Sequence, residues 1–163
     1  MPDDSRLRPR QWVWISLLVI ILDQATKLLA DHLLQYASPV EIFPMFNFTL
    51  LYNKGAAFSF LADQAGWQRW FFVILTTLVS VFLVFWIHRL KSRQLFQYVA
   101  LALILGGALG NLIDRVIYGH VIDFLDFYYQ RHHWPAFNIA DSAISIGTVL
   151  LIYDTLKHPH ENR

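Results

Sequence analysis

The chain has 163 residues, the length of one ordinary domain. Hydrophobic residues make up 56% of it and charged residues 15%, against about 25% charged residues in a typical soluble domain. The formal net charge of +1 argues against a nucleic-acid binder, which would carry a basic patch, and the 16% aromatic content excludes a disordered chain. The absence of cysteine excludes disulfides, thiolate nucleophiles and cysteine-ligated metal sites.

Four long apolar segments follow one another along the chain. A membrane-spanning helix needs about 20 predominantly apolar residues. The segments 70–87 and 95–113 have no charge, the segment 12–30 carries Asp23 and Lys27, and the segment 136–153 carries Asp141. A soluble fold of this size could not cover four such helices with polar residues. The sequence therefore predicts one integral membrane domain over residues 1–163, with four transmembrane helices at about these positions.

Lysine and arginine are concentrated at both ends of the chain and between the second and third segments, which predicts that both termini are cytoplasmic. The first segment resembles a secretory signal, but no small-residue cleavage site follows closely, so we expect it to remain as a span. The basic residues on the predicted cytoplasmic side are Arg6, Arg8, Arg10, Arg89, Lys91, Arg93, Lys157 and Arg163.

The two outer segments contain strand-like sequence. Phe46–Tyr52 is rich in aromatic and β-branched residues, and a turn is expected at Asn53–Gly55. Val121–Phe124 also reads as extended chain. The sequence predicts a small sheet at the membrane surface, with the 53–55 turn as a candidate flap over a site.

Ionisable residues at membrane depth are costly and are usually functional. Asp23 and Lys27 are four residues apart on one helix face, an arrangement that favours an ion pair. Their pair either locks the first span to its neighbours or contacts substrate, and the sequence leaves both open.

The third span ends in a cluster of small and polar residues. Gly106 and Gly110 have the spacing that allows close helix approach. Asn111 and Arg115 share one face, beside Asp114. They could hold a carbonyl or a lipid phosphate, whereas the alternative for Arg115 is an ordinary interfacial arginine.

Two carboxylates are expected to converge at the outer surface. Asn138 and Asp141 share a face near the start of the fourth helix, after Pro135. Asp123 lies in an apolar run just outside the third span. Alone, Asp141 could be a structural carboxylate. Two carboxylates that share one site cannot both ionise easily, so they share one proton. This is the arrangement that aspartic proteases use.

Other chemistries fit less well. The sequence has no Gly-x-Ser-x-Gly motif and no His-Glu-x-x-His motif. A metal site built from His120, Asp123, Asp126 and the His132–His133 pair is the better alternative, but it is disfavoured because short histidine-rich loops are often only hydrated interface. A transporter is disfavoured because it would show repeats and broken midplane helices.

Five sequence blocks, in order, resemble the lipoprotein signal peptidases, or signal peptidase II, of bacteria. Each block is weak alone, but together they extend over nearly the whole chain. The blocks are Asp23–Lys27, Asn53–Phe58, Gly106–Arg115, Val121–Phe124 and Phe137–Asp141.

The resemblance implies an inner-membrane aspartic endopeptidase without a cofactor or metal. It would remove the signal peptide of a diacylglyceryl-modified prolipoprotein, before the lipidated cysteine, near the periplasmic face. The implied fold has four transmembrane helices, a small periplasmic β-cradle and a short periplasmic helix. Membrane lipid and globomycin-type peptide inhibitors are implied partners. By match, the catalytic pair is Asp123 and Asp141, and the binding or supporting residues are Asp23, Lys27, Asn53, Gly55, Asn111, Asp114, Arg115 and Asn138.

Overall fold

The computed structural model describes residues 11–55, 67–90 and 94–157. It contains four long helices and a four-stranded antiparallel sheet, which confirms the predicted fold class in these respects. All four helices are long and apolar enough to cross a membrane. In chain order the elements are α1 (Trp12–Leu33), β1 (Val40–Phe43), β2 (Phe46–Asn53), α2 (Trp67–Arg89), α3 (Leu95–Ile117), β3 (Val121–Tyr129), β4 (His132–His133) and α4 (Ile139–Lys157).

Some predictions fall outside the described residues or are not met within them. The basic residues Arg6, Arg8, Arg10, Lys91, Arg93 and Arg163, and residues 56–58 of the second sequence block, lie outside the described ranges. Within those ranges no short helix accompanies the four long ones, and that element stays a prediction. The fourth helix begins at Ile139 rather than at 136, so Pro135 precedes the helix instead of occupying its first turn.

Helix α3 is the centre of the bundle and packs against α1, α2 and α4. Its glycines make this possible because neighbouring chains occupy the places where side chains would be. A Cβ atom at Gly106 would lie 2.8 Å from the Val19 Cβ of α1, and one at Gly107 would overlap the Ala140 carbonyl oxygen of α4. At Gly110 a Cβ would lie 2.6 Å from Asp23 Oδ2 of α1. The close approach predicted at Gly106 and Gly110 is thus present toward α1, and Gly107 adds a close approach to α4.

The sheet attaches to the C-terminal end of α3 through a short turn. Gly119 has φ +81°, a left-handed conformation that suits glycine after a helix end. The chain then enters β3, which pairs with β2 so that Leu51 faces Asp123 and Asn53 faces Val121. The sheet order is β1-β2-β3-β4.

A buried ammonium group joins the first span to the third. The Nζ of Lys27, which is 1% exposed, lies 2.8 Å from Asp23 Oδ2 and 2.9 Å from Asp114 Oδ2. It also donates to Asn111 Oδ1 at 2.9 Å. Since an ammonium has three donors, all of them are used inside the protein. The Asp23–Lys27 pair is therefore a structural lock in this geometry, not a free group facing substrate.

The two carboxylates on Lys27 extend this lock to the rest of the fold. Asp23 Oδ1 accepts the backbone N–H of Ala140, in the first turn of α4, at 2.9 Å. Asp114 Oδ2 accepts the backbone N–H of Ile122, in β3, at 3.0 Å. Gln24 Nε2 donates to Asp114 Oδ1 at 2.8 Å. One polar cluster thus connects α1, α3, α4 and the sheet.

Replacing Lys27 with Met should strongly destabilise the fold, because Asp23 and Asp114 would remain buried without a compensating cation. Breaking a buried ion pair costs about 3–5 kcal/mol, which corresponds to a fall of about 6–20 °C in the unfolding midpoint of a chain this size. Thermal unfolding in detergent would measure it. Leu28→Met, on the exposed side of the same helix, is the matched control and should leave the midpoint nearly unchanged. A Lys27→Met protein as stable as this control would contradict the role given to the cation.

Candidate active site

Two aspartates from different elements meet through one asparagine. Asp123 comes from β3, and Asp141 comes from the first turn of α4. Asn138, which directly precedes α4 and is fully buried, donates through Nδ2 to Asp123 Oδ1 at 2.7 Å. Its Oδ1 accepts the backbone N–H of Asp141 at 2.9 Å. The predicted convergence of the two carboxylates at the end of the bundle is present in the structure.

The local sequence Asn138-x-x-Asp141 explains where α4 begins. The Asn138 side chain caps the N–H of Asp141, and the Asp141 carboxylate accepts the N–H of Asn138 at 3.3 Å. This reciprocal pattern is a capping box. It fixes the Asp141 carboxylate at the N-terminus of α4.

Asp123 occupies a more enclosed place than Asp141. It is 3% exposed, and its Oδ2 accepts a hydrogen bond from Asn53 Nδ2 at 3.0 Å. Burial, and then the nearby charge of Asp141, raise the pKa of Asp123 to about 7, against the opposing hydrogen bonds of the two asparagines. Near neutral pH, Asp123 is therefore able to hold a proton.

Asn111 connects the dyad to the buried lysine. Its Nδ2 donates to Asp141 Oδ1 at 2.7 Å. Its Oδ1 accepts from Lys27 Nζ at 2.9 Å and from Asn138 Nδ2 at 3.2 Å. Since Lys27 holds the Asn111 oxygen, the amide nitrogen is left pointing at Asp141. The orientation of one aspartate is thus fixed from the centre of the bundle.

Arg115 lies at the edge of the same site. Its Nη1 donates to the Asn111 backbone oxygen at 3.3 Å, and its guanidinium carbon lies 5.1 Å from the centre of the Phe72 ring. Phe72 also packs on Gly55, where a Cβ would lie 2.5 Å from the ring. With φ +103°, Gly55 closes a turn in which its N–H donates to Asn53 Oδ1 at 2.8 Å.

The structure thus brings the sequence-predicted residues together in three adjoining groups. Asp123, Asp141, Asn53, Asn111 and Asn138 form the hydrogen-bonded site. Asp23, Lys27 and Asp114 support it from within the bundle, whereas Gly55 and Arg115 lie at its edge.

Three participants were not singled out from the sequence. Gln24 lies within the Asp23–Lys27 sequence block, and a polar side chain in an apolar span could have indicated its role. Phe72 has no distinguishing signal among the apolar residues of its helix. Arg69, at the start of α2, donates to the Arg115 and Val116 backbone oxygens at 2.9 and 2.8 Å, and its sequence position does not indicate these contacts.

The alternative metal site finds no support in the described part of the chain, where no three His, Cys, Asp or Glu side chains cluster closely enough to hold an ion. His120 instead packs against Tyr52, with ring centres 4.4 Å apart.

Residues 15–157 match the sequence model of the signal peptidase (SPase) II family. A lipoprotein signal peptidase of Acinetobacter baumannii is 58% identical over 144 residues, which are 88% of this chain and 82% of that protein. A lipoprotein signal peptidase of Aeromonas hydrophila is 53% identical over 145 residues, 88% of this chain and 87% of that protein.

A solved structure has a similar fold. A bacterial membrane enzyme determined by the in meso method at 2.3 Å resolution is 36% identical, with a TM-score of 0.82. The match covers 94% of this chain and 92% of that structure. The helices, the sheet and the matched sequence agree, and the chain belongs to the signal peptidase II family, aspartic proteases of bacterial membranes that remove signal peptides from prolipoproteins.

Proposed function

We propose that Asp123 and Asp141 are the catalytic pair of this peptidase. One carboxylate takes a proton from water as the water attacks the scissile carbonyl, and the other, protonated, donates to the carbonyl oxygen. The observation that carries the proposal is the attachment of both side chains to Asn138, at 2.7 Å for Asp123 and by a capping box for Asp141.

The environments of the two aspartates favour different roles. Asp123 is nearly fully buried and its pKa is raised to about 7, so it is the better carrier of the shared proton. Asp141 accepts from the Asn111 amide and from a backbone N–H at the start of a helix, and both donors stabilise a carboxylate. Asp123 is therefore assigned as the acid that faces the carbonyl oxygen, and Asp141 as the base that activates water.

The remaining site residues position this pair or bind substrate. Asn53, Asn111 and Asn138 fix the carboxylates by hydrogen bonds. The guanidinium of Arg115 has a single hydrogen bond to described residues, to Asn111 O, which leaves donors for a substrate carbonyl or a lipid phosphate. Gly55, which packs on Phe72 beside Arg115, is proposed to line the substrate-binding site. Asp23, Lys27 and Asp114 support the site without contacting substrate.

The proposed substrate is a prolipoprotein whose cysteine already carries diacylglycerol, cleaved before that cysteine. It would arrive by lateral diffusion, held in the membrane by its signal helix and acyl chains, so membrane lipid is part of its environment. The lysine and arginine residues near both ends of the chain favour cytoplasmic termini, and in that orientation the proposed dyad faces the periplasmic side of the inner membrane. Globomycin-type peptides are proposed to bind at the same site.

Asp123→Asn and Asp141→Asn should each reduce the rate of cleavage by at least about a hundredfold, because each removes one of the two proton-transfer groups. The rate is measured on purified protein in detergent with a diacylated prolipoprotein. Glu41→Gln, an exposed acid on β1, is the matched control and should keep the parent rate. Substantial cleavage by either aspartate variant, with normal folding, would refute the dyad, and loss of activity with EDTA that zinc restores would favour a metal enzyme instead.

The rate should decline on the alkaline side of neutrality. A group whose folded pKa is raised to about 7 holds its proton below that pH and loses it as the pH rises. If Asp123 is the acid, kcat should fall about tenfold per pH unit above about pH 7. Single-turnover rates between pH 5 and pH 9 would measure it, and a rate that increases steadily to pH 9 would contradict the assignment.

Cleavage should depend on the lipid of the substrate. The same prolipoprotein is incubated with the enzyme in diacylated and in unlipidated form, and we expect processing of the lipidated form alone. Equal processing of both forms would identify a general protease of this fold.

A further inference from the structure

A cavity of about 630 Å³ opens beside the dyad and continues over the sheet. Asp123 and Asn53 line one part of it, and Asp126, His133 and Trp134 line another. The cavity therefore joins the reactive carboxylate to a second polar group, which the catalytic mechanism does not use.

That second group is a buried carboxylate with a complete set of donors. Asp126 is 4% exposed. Its Oδ2 accepts from Thr49 Oγ1 at 2.8 Å and from Asn47 Nδ2 at 3.3 Å, and its Oδ1 lies 2.8 Å from His133 Nδ1. Although burial opposes ionisation, these hydrogen bonds hold the pKa of Asp126 below its usual range. Asp126 is a fixed acceptor, in contrast to the proton-holding Asp123 on the same strand.

His133 is held by this carboxylate on one side and is open on the other. Its ring stacks on Tyr128, with centres 5.4 Å apart, and its side chain is 49% exposed. Because an ionised carboxylate only accepts, Nδ1 carries the proton, and the neutral ring then presents Nε2 as an acceptor. Nε2 has no hydrogen-bond partner among the described residues.

The spacing of the two polar groups suits an extended peptide. Asp126 is three residues beyond Asp123 on β3, about 10 Å at 3.3 Å per residue. Asp123 contacts Asn138 beside α4, whereas Asp126 contacts residues of strands β2 and β4. A peptide whose scissile bond lies at Asp123 would thus reach His133 about three residues along, on the side away from the membrane helices.

We propose that His133 is a binding residue for the mature region of the substrate, accepting a hydrogen bond from a backbone N–H within the first few residues after the cleaved bond. Asp126 is the positioning residue that fixes the histidine. The inference rests on the proposed function, because it takes the peptide bond cut at the dyad as its reference point. A backbone contact suits an enzyme that must accept many different mature sequences.

The test pairs an enzyme variant with a modified substrate. His133→Phe keeps the ring that stacks on Tyr128 and removes both nitrogens. His132→Phe, on the neighbouring exposed residue that does not line the cavity, is the matched control. Diacylated substrates carry a single N-methyl group at each of the first five mature-region amides in turn, which removes one N–H at a time.

We expect His133→Phe to raise KM about three- to tenfold, the effect of one hydrogen bond, with kcat within about twofold of the parent. One N-methylated substrate should raise the parent KM similarly and should have no further effect on His133→Phe. Asp126→Asn should behave like His133→Phe, and the double variant should show no additional loss. His132→Phe should match the parent.

Two results would overturn the inference: a parent KM that is insensitive to N-methylation at all five amides, or a His133→Phe enzyme that keeps the full N-methyl effect. If His133→Phe does not fold, the parent series and Asp126→Asn decide the same question. All these variants keep Asp123 and Asp141. Failure of the dyad is instead read from kcat in the two aspartate variants.

Discussion

The structure depends on one buried cation. The ammonium of Lys27 lies among Asp23, Asp114 and Asn111 with all of its donors used. In a helix bundle surrounded by lipid the hydrophobic effect does little to hold helices together, so close packing and internal polar contacts carry more of the association. Lys27 supplies the polar contacts, and the glycines of α3 allow the close packing that lets them form.

The same constraint determines the geometry of the dyad. Lys27 occupies the oxygen of Asn111 and thereby aims its nitrogen at Asp141. Asp23 holds the start of α4 through the Ala140 N–H, and Asp114 holds the start of β3 through the Ile122 N–H. Each aspartate of the dyad is therefore within two residues of a backbone group that the buried cluster fixes.

The helices of this arrangement could largely be predicted from the sequence, because a membrane-spanning helix needs a long segment with few charges. Segments without charges predicted α2 and α3, and the residues of β2 and β3 showed strand composition. The start of α4 differs from the expected position, because Pro135 is a good first helical residue, whereas Phe137 pairs with Leu125 of β3 and the reciprocal bonds of Asn138 and Asp141 begin the helix at Ile139. The proposed pair Asp123 and Asp141 was predicted from residue type and motif, whereas the attachment of both residues to Asn138 depends on how β3 and α4 meet.

The contacts of some side chains could not be predicted from the sequence. Phe72 contacts both Arg115 and Gly55, yet it is one of several aromatic residues on an apolar helix. Asp126 and His133 were visible as a possible set of metal ligands, whereas the fold makes them a two-residue hydrogen-bonded pair on adjacent strands. Sequence distinguishes residue types well, but these roles depend on long-range contacts between separate elements.

The sequence separation within the Lys27 cluster has a consequence for synthesis. Lys27 and Asn111 are 84 residues apart, and Asp23 and Ala140 are 117 apart. At about 5–20 residues per second, Lys27 is synthesised roughly 4–17 s before Asn111. During that interval Lys27 still has Asp23 one turn away, in the order that favours pairing within a single helix. Until the third span is synthesised, the first span thus carries its own counter-ion, and the Asp23–Lys27 pair adds no net charge to it.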